Sequence, residues 1–287
     1  MRKTIFAVLA AAVSLAATAC SSSSGSDSAA PANCTPALGA SDLVTAGTLT
    51  MSTNATLPPM QYVDANGKIT GMRITLGNDI AKLLCLTPKF VNIDFDSQIP
   101  GLSGKRWDMI NTGMFYTAKR AQTVILVPYE VQGVAISVPS GNPSHLGSAE
   151  DLAGRTVAVE APGYEYDTLT ALSQKLTSEG KAAITIHTFQ TTADAYQALA
   201  AGQADAVAIV DSVTTYYQSA GRFETAFKGL STAPLAFGFA SKQTADAVAT
   251  ALTTLRQNGE LSKLFAQFGV TAYNGPLQVT TGDITTQ

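Results

Sequence analysis

Residues 155–210 read RTVAVEAPGYEYDTLTALSQKLTSEGKAAITIHTFQTTADAYQALAAGQADAVAIV, and this stretch decides the fold. Three short apolar runs, Arg155–Val159, Ala183–Thr188 and Ala206–Val210, alternate with two longer stretches, Tyr164–Glu179 and Ala193–Ala201. Runs of about five residues bounded by turn residues suit strands, and the longer stretches have helical spacing. That alternation predicts an α/β architecture. Upstream, strands are expected at Thr48–Ser52, Phe90–Ile93, Asp108–Ile110 and Val134–Val138, with a helix at Leu76–Leu84. Tyr62-Val63 and Ile69-Thr70 flank Asp64-Ala65-Asn66-Gly67, whose Asn-Gly pair suits a hairpin turn. A Pro/Gly/Ser-rich connection follows at Pro139–Ser144. Downstream, Ser212–Gln218 reads as a helix and Leu235–Ala240 as a returning strand. Ala245, Val248, Leu252 and Leu255 share one face of a helix over Ala245–Gln257, and Leu261–Phe268 adds another. These faces are core.

The 287 residues and 46% hydrophobic content are enough for a sizeable core. A formal net charge of −3 leaves no basic excess to neutralise phosphates, so nucleic acid is not an expected partner. His145 and His187 stand far apart without neighbouring cysteines, so no metal is expected, and no cofactor. There is no Ser/His/Asp arrangement and no Gly-rich phosphate loop.

Arg2 and Lys3 precede an apolar run, Ile5–Ala17, and then Ala17-Thr18-Ala19-Cys20. This reads as an export signal over residues 1–19, because a permanent membrane helix needs about 20 apolar residues. The small residues before Cys20 resemble a bacterial lipobox, with Ala17 where Leu is usual. Lipidation of Cys20 is expected, followed by a Ser/Ala-rich tether over 20–39. The alternative is an ordinary Ala-x-Ala cleavage site. Cys34 and Cys85 then remain, in a compartment that tolerates disulfides, and a bridge between them is expected; the alternative is a buried free Cys85.

Several fragments follow one another along the chain: Gly47-Thr48-Leu49-Thr50, Leu57-Pro58-Pro59-Met60, Gly67-Lys68-Ile69-Thr70-Gly71, Asp94-Phe95-Asp96 with Ile99-Pro100, and Trp107-Asp108. Thr117-Ala118-Lys119-Arg120, Glu150-Asp151-Leu152-Ala153-Gly154-Arg155 and Ala201-Gly202-Gln203-Ala204-Asp205 follow. Together, over about Gly47–Val270, they resemble the bacterial family 3 solute-binding proteins, periplasmic polar amino-acid receptors of ATP-driven importers. The resemblance implies a periplasmic-binding-protein-like fold of type II: two α/β lobes joined by two hinge strands, with a central ligand cleft. Lobe 1 would combine residues 40–135 and 238–287, and lobe 2 would be 136–237.

The same resemblance implies site residues. Arg120 would pair with a ligand carboxylate, where a planar guanidinium can donate two parallel bonds. Gly113 would let backbone N–H groups approach that carboxylate, and Thr112 could add a hydroxyl. Asp211 matches the acid that receives the ligand ammonium group, with a helix N-cap as its alternative role. Phe95 would pack on the ligand side chain. Leu57 and Met60 stand where aromatic residues are common. Asn54 replaces a frequent acid, which argues against a lysine or arginine side chain on the ligand. Phe115 replaces a small hydroxyl residue and narrows the pocket. In the loop Ala161–Glu165, either Gly163 or Tyr164 takes the family's threonine position, and Tyr164 and Glu165 could read a polar ligand tail.

The function implied is capture of an amino acid or a derivative for an ABC transporter permease, by a monomeric lipoprotein held at the outer face of the cell membrane. Two alternatives stand beside it: a ligand-sensing subunit of a surface complex, and a cleft enzyme of dehydratase type using Glu160 or Glu165. Joint presence of Arg120 and Asp211 favours binding of a zwitterion over catalysis.

Overall fold

The computed structural model describes residues 34–219 and 221–277. The export segment 1–19, Cys20 and the tether as far as residue 33 lie outside the described residues. From Cys34 the chain is already attached to the fold. Cys34 is disulfide-bonded to Cys85 across a Cα–Cα distance of 5.5 Å, Ala37 donates to the Leu84 carbonyl, and Leu38 is buried. The folded part therefore begins ahead of the tether end expected at 39.

Strand β1 (Thr48–Thr53) leads through β2 (Thr56–Leu57) into the hairpin of β3 (Gln61–Val63) and β4 (Ile69–Thr70). Its turn is closed by Gly67 at φ 78°, a region open to glycine at no steric cost. Helix α1 (Met72–Leu83), β5 (Thr87–Asn92), α2 (Gln98–Ser103), β6 (Met109–Ile110) and α3 (Ala118–Ala121) complete the first pass through lobe 1. The long β7 (Ile125–Pro139) then leaves it. Lobe 2 runs through β8 (Thr156–Glu160), α4 (Tyr164–Ser178), β9 (Thr185–Phe189), α5 (Thr192–Ala200), β10 (Ala206–Val210), α6 (Asp211–Ser219) and β11 (Phe223–Phe227). The chain returns on β12 (Thr232–Phe239) and ends in α7 (Lys242–Gln257), α8 (Glu260–Phe268) and β13 (Thr271–Ala272).

The strands form a sheet in the order β5-β1-β6-β12-β7-β10-β8-β9, with β11 and β13 also pairing β7. Within each lobe the inner strands are parallel: β1 to β5 and β6, and β8 to β9 and β10. Strand β7 serves both lobes. Its residues Ile125–Gly133 pair with β12 in lobe 1, while Val134–Ser137 pair with β10 in lobe 2. The outgoing crossing therefore falls at Gly133–Val134, close to the expected 135/136. The return falls at Ser231–Thr232, ahead of the expected 237/238, because Thr232–Phe237 are already laddered to β7 inside lobe 1. The two crossings touch: Val134 donates to the Ser231 carbonyl and accepts from Leu230 N–H.

The largest apolar cluster runs through both lobes, from α1, α7 and α8 to Tyr196, Leu199, Ile209 and Val213, and lobe 2 adds a second cluster under α4. Met72, Leu76 and Ile80 of α1 meet Val248, Leu252 and Leu255 of α7 and Leu261 and Phe265 of α8 over the sheet of lobe 1. In lobe 2, Leu169 and Leu176 of α4 pack on Val157, Val159, Ala206 and Ala208. Among the described residues no helix is long and apolar enough to cross a membrane, and no cluster of three His, Cys, Asp or Glu side chains could hold a metal ion.

Candidate functional site

The floor of the cleft is built where β1 and β6 end side by side. The chain after β6 carries Asn111, Thr112 and Gly113, and the fully buried Arg73 of α1 lies directly beneath. A Cβ added at Gly113 would sit 3.3 Å from Arg73 Nη1 and 3.6 Å from Leu57 Cδ1, so any side chain there would press on the floor. Arg73 is ion-paired with the fully buried Glu130. It also donates from Nε to Tyr129 Oη at 2.8 Å and from Nη1 to Gln61 Oε1 at 2.6 Å. Gln61 Nε2 donates to Thr112 Oγ1 at 3.2 Å, and the same hydroxyl accepts from Asn54 N–H at 3.3 Å. Thr112 is thus spent on the floor and does not line the cavity.

Arg120 rises from α3, a single turn whose N-cap Thr117 accepts the Arg120 N–H at 3.1 Å. Its Nη1 donates to the Phe115 carbonyl at 2.7 Å, and its guanidinium lies 5.3 Å from the ring centroid of Phe95. Among the described residues no carboxylate comes within ion-pair distance of it. Burial pulls its pKa down, opposed by the fields of Glu165 and Asp167 in the first turn of α4.

Lobe 2 presents the opposite charge. Glu160 ends β8, and its Oε2 accepts from the backbone N–H of Thr192 at 3.0 Å and from its hydroxyl at 2.8 Å, at the start of α5. Glu160 Oε1 accepts from Asn54 Nδ2 at 3.2 Å, a bond between the lobes. Burial pushes Glu160 up to about 7; Glu165 pushes the same way, and the hydrogen bonds from Thr192 and Asn54 oppose. Glu165 is likewise raised, chiefly by burial, and Arg120 opposes that shift. A second contact between the lobes is aromatic: the Phe115 and Tyr164 rings stack with centroids 4.2 Å apart, and Tyr164 Oη lies 2.5 Å from Ser231 Oγ at the return crossing.

These contacts close the cleft to a hollow of about 30 Å³, on the scale of two waters at roughly 10–15 Å³ each. A larger guest must part the Phe115 and Tyr164 rings. Of the residues expected from sequence, Arg120, Gly113, Phe95, Leu57, Phe115, Gly163 and Tyr164 line this hollow. Asn54 stands just outside it, bonded to Glu160. Asp211 is not brought there: it is absent from the lining of the hollow, and its Oδ2 lies 3.1 Å from the Cβ position of Gly133, where β7 crosses between lobes. Asp211 opens α6, and its side chain stands beside the hinge rather than in the cleft. Glu160, Glu165, Thr192, Ala208 and Ile209 also line the hollow. Sequence reasoning weighed Glu160 only as a catalytic acid, although its place at the carboxyl end of a parallel strand, where α/β sheets gather ligands, was a usable signal.

Residues 49–271 match the family described as bacterial extracellular solute-binding proteins, family 3. The chain is 28% identical over 230 residues to the arginine-binding protein ArgT of Corynebacterium glutamicum, covering 78% of this chain and 75% of that one. It is 25% identical over 164 residues to the L-cystine-binding protein TcyJ of Escherichia coli, covering 57% and 59%. Among solved structures it resembles an ancestral arginine-binding protein bound to arginine, with a TM-score of 0.71 and 28% identity over 77% of this chain and 98% of that one. It also resembles the ancestral amino-acid-binding protein AncCDT-1, described as a precursor of cyclohexadienyl dehydratase, with a TM-score of 0.69 and 28% identity over 77% of this chain and 95% of that one.

Proposed function

The chain belongs to the bacterial extracellular solute-binding proteins of family 3, and from that premise we propose that its cleft captures a free amino acid and delivers it to an ATP-driven importer. The observation that carries this reading is the division of charge between the lobes. Arg120 of lobe 1 offers a guanidinium with no carboxylate at ion-pair distance among the described residues, while Glu160 and Glu165 of lobe 2 offer carboxylates to the same hollow. A zwitterion placed between them gives its carboxylate to Arg120 and its ammonium group to lobe 2. Only a closed form lets one small molecule touch both, so binding drives closure. Phe95, Leu57, Phe115, Gly163 and Tyr164 shape the space around the ligand side chain. Cys20 carries the lipid that keeps this monomeric receptor at the outer face of the membrane, beside its permease.

A carboxyl near neutrality such as Glu160 is also suited to general acid–base work, which supports the dehydratase reading alongside the likeness to AncCDT-1. One experiment separates the two. The purified protein is melted in the presence of each standard L-amino acid and L-cystine, and of matched simple carboxylates and amines. Capture expects an amino acid to raise Tm by linkage, simple carboxylates and amines to raise it less, and the ligand to be recovered unchanged. Equal shifts from a plain carboxylate, or conversion of the ligand, would reject capture.

A further inference from the structure

Within the capture reading, on which this inference rests, we propose that Glu160, rather than Asp211, receives the ammonium group of the bound amino acid. Three features of the cleft lead there. Strand β10 contributes only Ala208 and Ile209 to the hollow, and Asp211 beyond it stands beside Gly133 at the hinge, its Oδ2 3.1 Å from the Cβ position there. Glu165 sits in the first turn of α4, where the helix dipole and the field of Arg120 both act on its carboxylate. Glu160 is left as the acid at the end of a cleft strand. It is held by Thr192 through Oε2, while its Oε1 takes a single bond, from Asn54 Nδ2. A carboxylate has about four acceptor sites, so Oε1 can take an ammonium N–H while Asn54 remains bonded.

The protonation of Glu160 agrees with this role. The groups that face it are Asn54 of lobe 1, Thr192 of α5, the carboxyl of Glu165 on α4 and the phenol of Tyr217 on α6. None of these is a cation; Arg120 lines the same hollow but stands beyond ion-pair distance, and burial raises Glu160 to about 7. An arriving ammonium group would supply the missing positive charge and drive Glu160 to its ionised form. Affinity for an amino acid is then full above about pH 7 and lost as pH falls below it. Relative to a ligand without the ammonium group, the loss from pH 8 to pH 6 is about tenfold.

The test uses titration calorimetry on the purified protein. The amino acid with the largest thermal shift is paired with its des-amino carboxylate: 5-guanidinopentanoate for arginine, glutaramate for glutamine, 3-phenylpropanoate for phenylalanine. The wild type should prefer the amino acid, Glu160→Gln should reduce that preference at least tenfold, and Asp211→Asn should keep it. Preference retained in Glu160→Gln, or lost in Asp211→Asn, overturns the proposal and leaves capture standing. Absence of binding by every amino acid rejects capture, and this proposal with it. Should Glu160→Gln fail to fold, the wild-type pH series decides: a preference that is flat between pH 8 and pH 6 overturns the proposal.

Discussion

Removing the guanidinium of Arg120 should abolish tight binding while sparing the fold. One of its N–H groups is committed to the Phe115 carbonyl, and the rest of the planar fork has no carboxylate partner among the described residues. A ligand carboxylate can therefore form two charge-assisted bonds, each contributing about 1.5–3 kcal/mol. Their loss in Arg120→Ala amounts to about 3–6 kcal/mol, or roughly 10²–10⁴ in Kd. The upper half of that range is expected, because burial already depresses the Arg120 pKa before any ligand arrives. Much of the desolvation cost thus belongs to the empty protein. For the same reason the ligand-free variant should melt no lower than the wild type. Arg120→Lys keeps the charge but loses the fork, so it should fall between the two. Calorimetric titration measures Kd, and melting curves without ligand measure the fold. An Arg120→Ala protein that binds within fivefold of the wild type would refute the assignment of the carboxylate to this residue.

Without ligand, Glu160 should make the protein less stable as pH rises. Its pKa lies at about 7 in the fold against an ordinary 4.5, so below about pH 4.5 both folded and unfolded chains hold the proton. Between about 4.5 and 7 the unfolded chain ionises first, and by pH 8 stability has dropped by about 3 kcal/mol. Urea unfolding at pH 5 and pH 8 should show this difference shrinking in Glu160→Gln; an unchanged difference contradicts the linkage. Gly101→Ala should destabilise by about 1–3 kcal/mol or more, because its Cβ would fall 2.0 Å from Trp107 Cη2. The fluorescence of that tryptophan, the chain's single one, follows the unfolding, and an unshifted urea midpoint would rule out the clash. Replacing Cys34 and Cys85 together by alanine releases a link across 51 positions, worth about 4 kcal/mol by chain entropy; equal Tm values for variant and oxidised wild type would show that the link contributes nothing.

The alternation in residues 155–210 was legible because each element there carries its own signal. Strand β10 spans Ala206–Val210, as its apolar run predicts, and the Asn66-Gly67 turn joins β3 to β4. The first half of β7 was not legible. Its run ILVPYEVQG contains Pro128, which removes a ladder donor, and Glu130, which looks like a surface residue. The structure resolves both: the register between β7 and β12 shifts where Pro128 and Glu130 flank Tyr129, and Glu130 is buried because Arg73 comes to it from another element. A pairing across 57 positions leaves no local trace. Arg120 was legible through Thr117, whose capping of α3 sets the turn that carries it. Which of Asp211 and Glu160 lines the hollow was not legible, since each stands at or just after the end of a strand and only the three-dimensional neighbours decide it.

On the capture reading, in which the lobes open and close, the buried polar groups divide the molecule into a part that stays fixed and a part that moves. From the hinge, Ser212 N–H donates to Gln132, Gln132 to Glu130, and Arg73 to Glu130 and Gln61. Gln61 continues to Thr112, whose hydroxyl accepts from Asn54 N–H. Between Gln132 and Asn54 every member belongs to lobe 1 and is buried. An ion pair so deeply placed adds little net stability, since desolvation offsets its attraction, yet removing one partner leaves a buried charge exposed to no solvent. Its use lies in geometry: it holds the Thr112–Gly113 floor at one height relative to β7. Two links reach lobe 2. Gln132 to Ser212 lies beside the crossing strands, where rotation moves atoms least. Asn54 to Glu160 lies at the cleft, where rotation moves them most. Opening must therefore break the Asn54–Glu160 bond and the Phe115–Tyr164 stack while the lobe 1 network persists. Lobe 1 is in this arrangement the prepared half of the site, and lobe 2 the half that arrives.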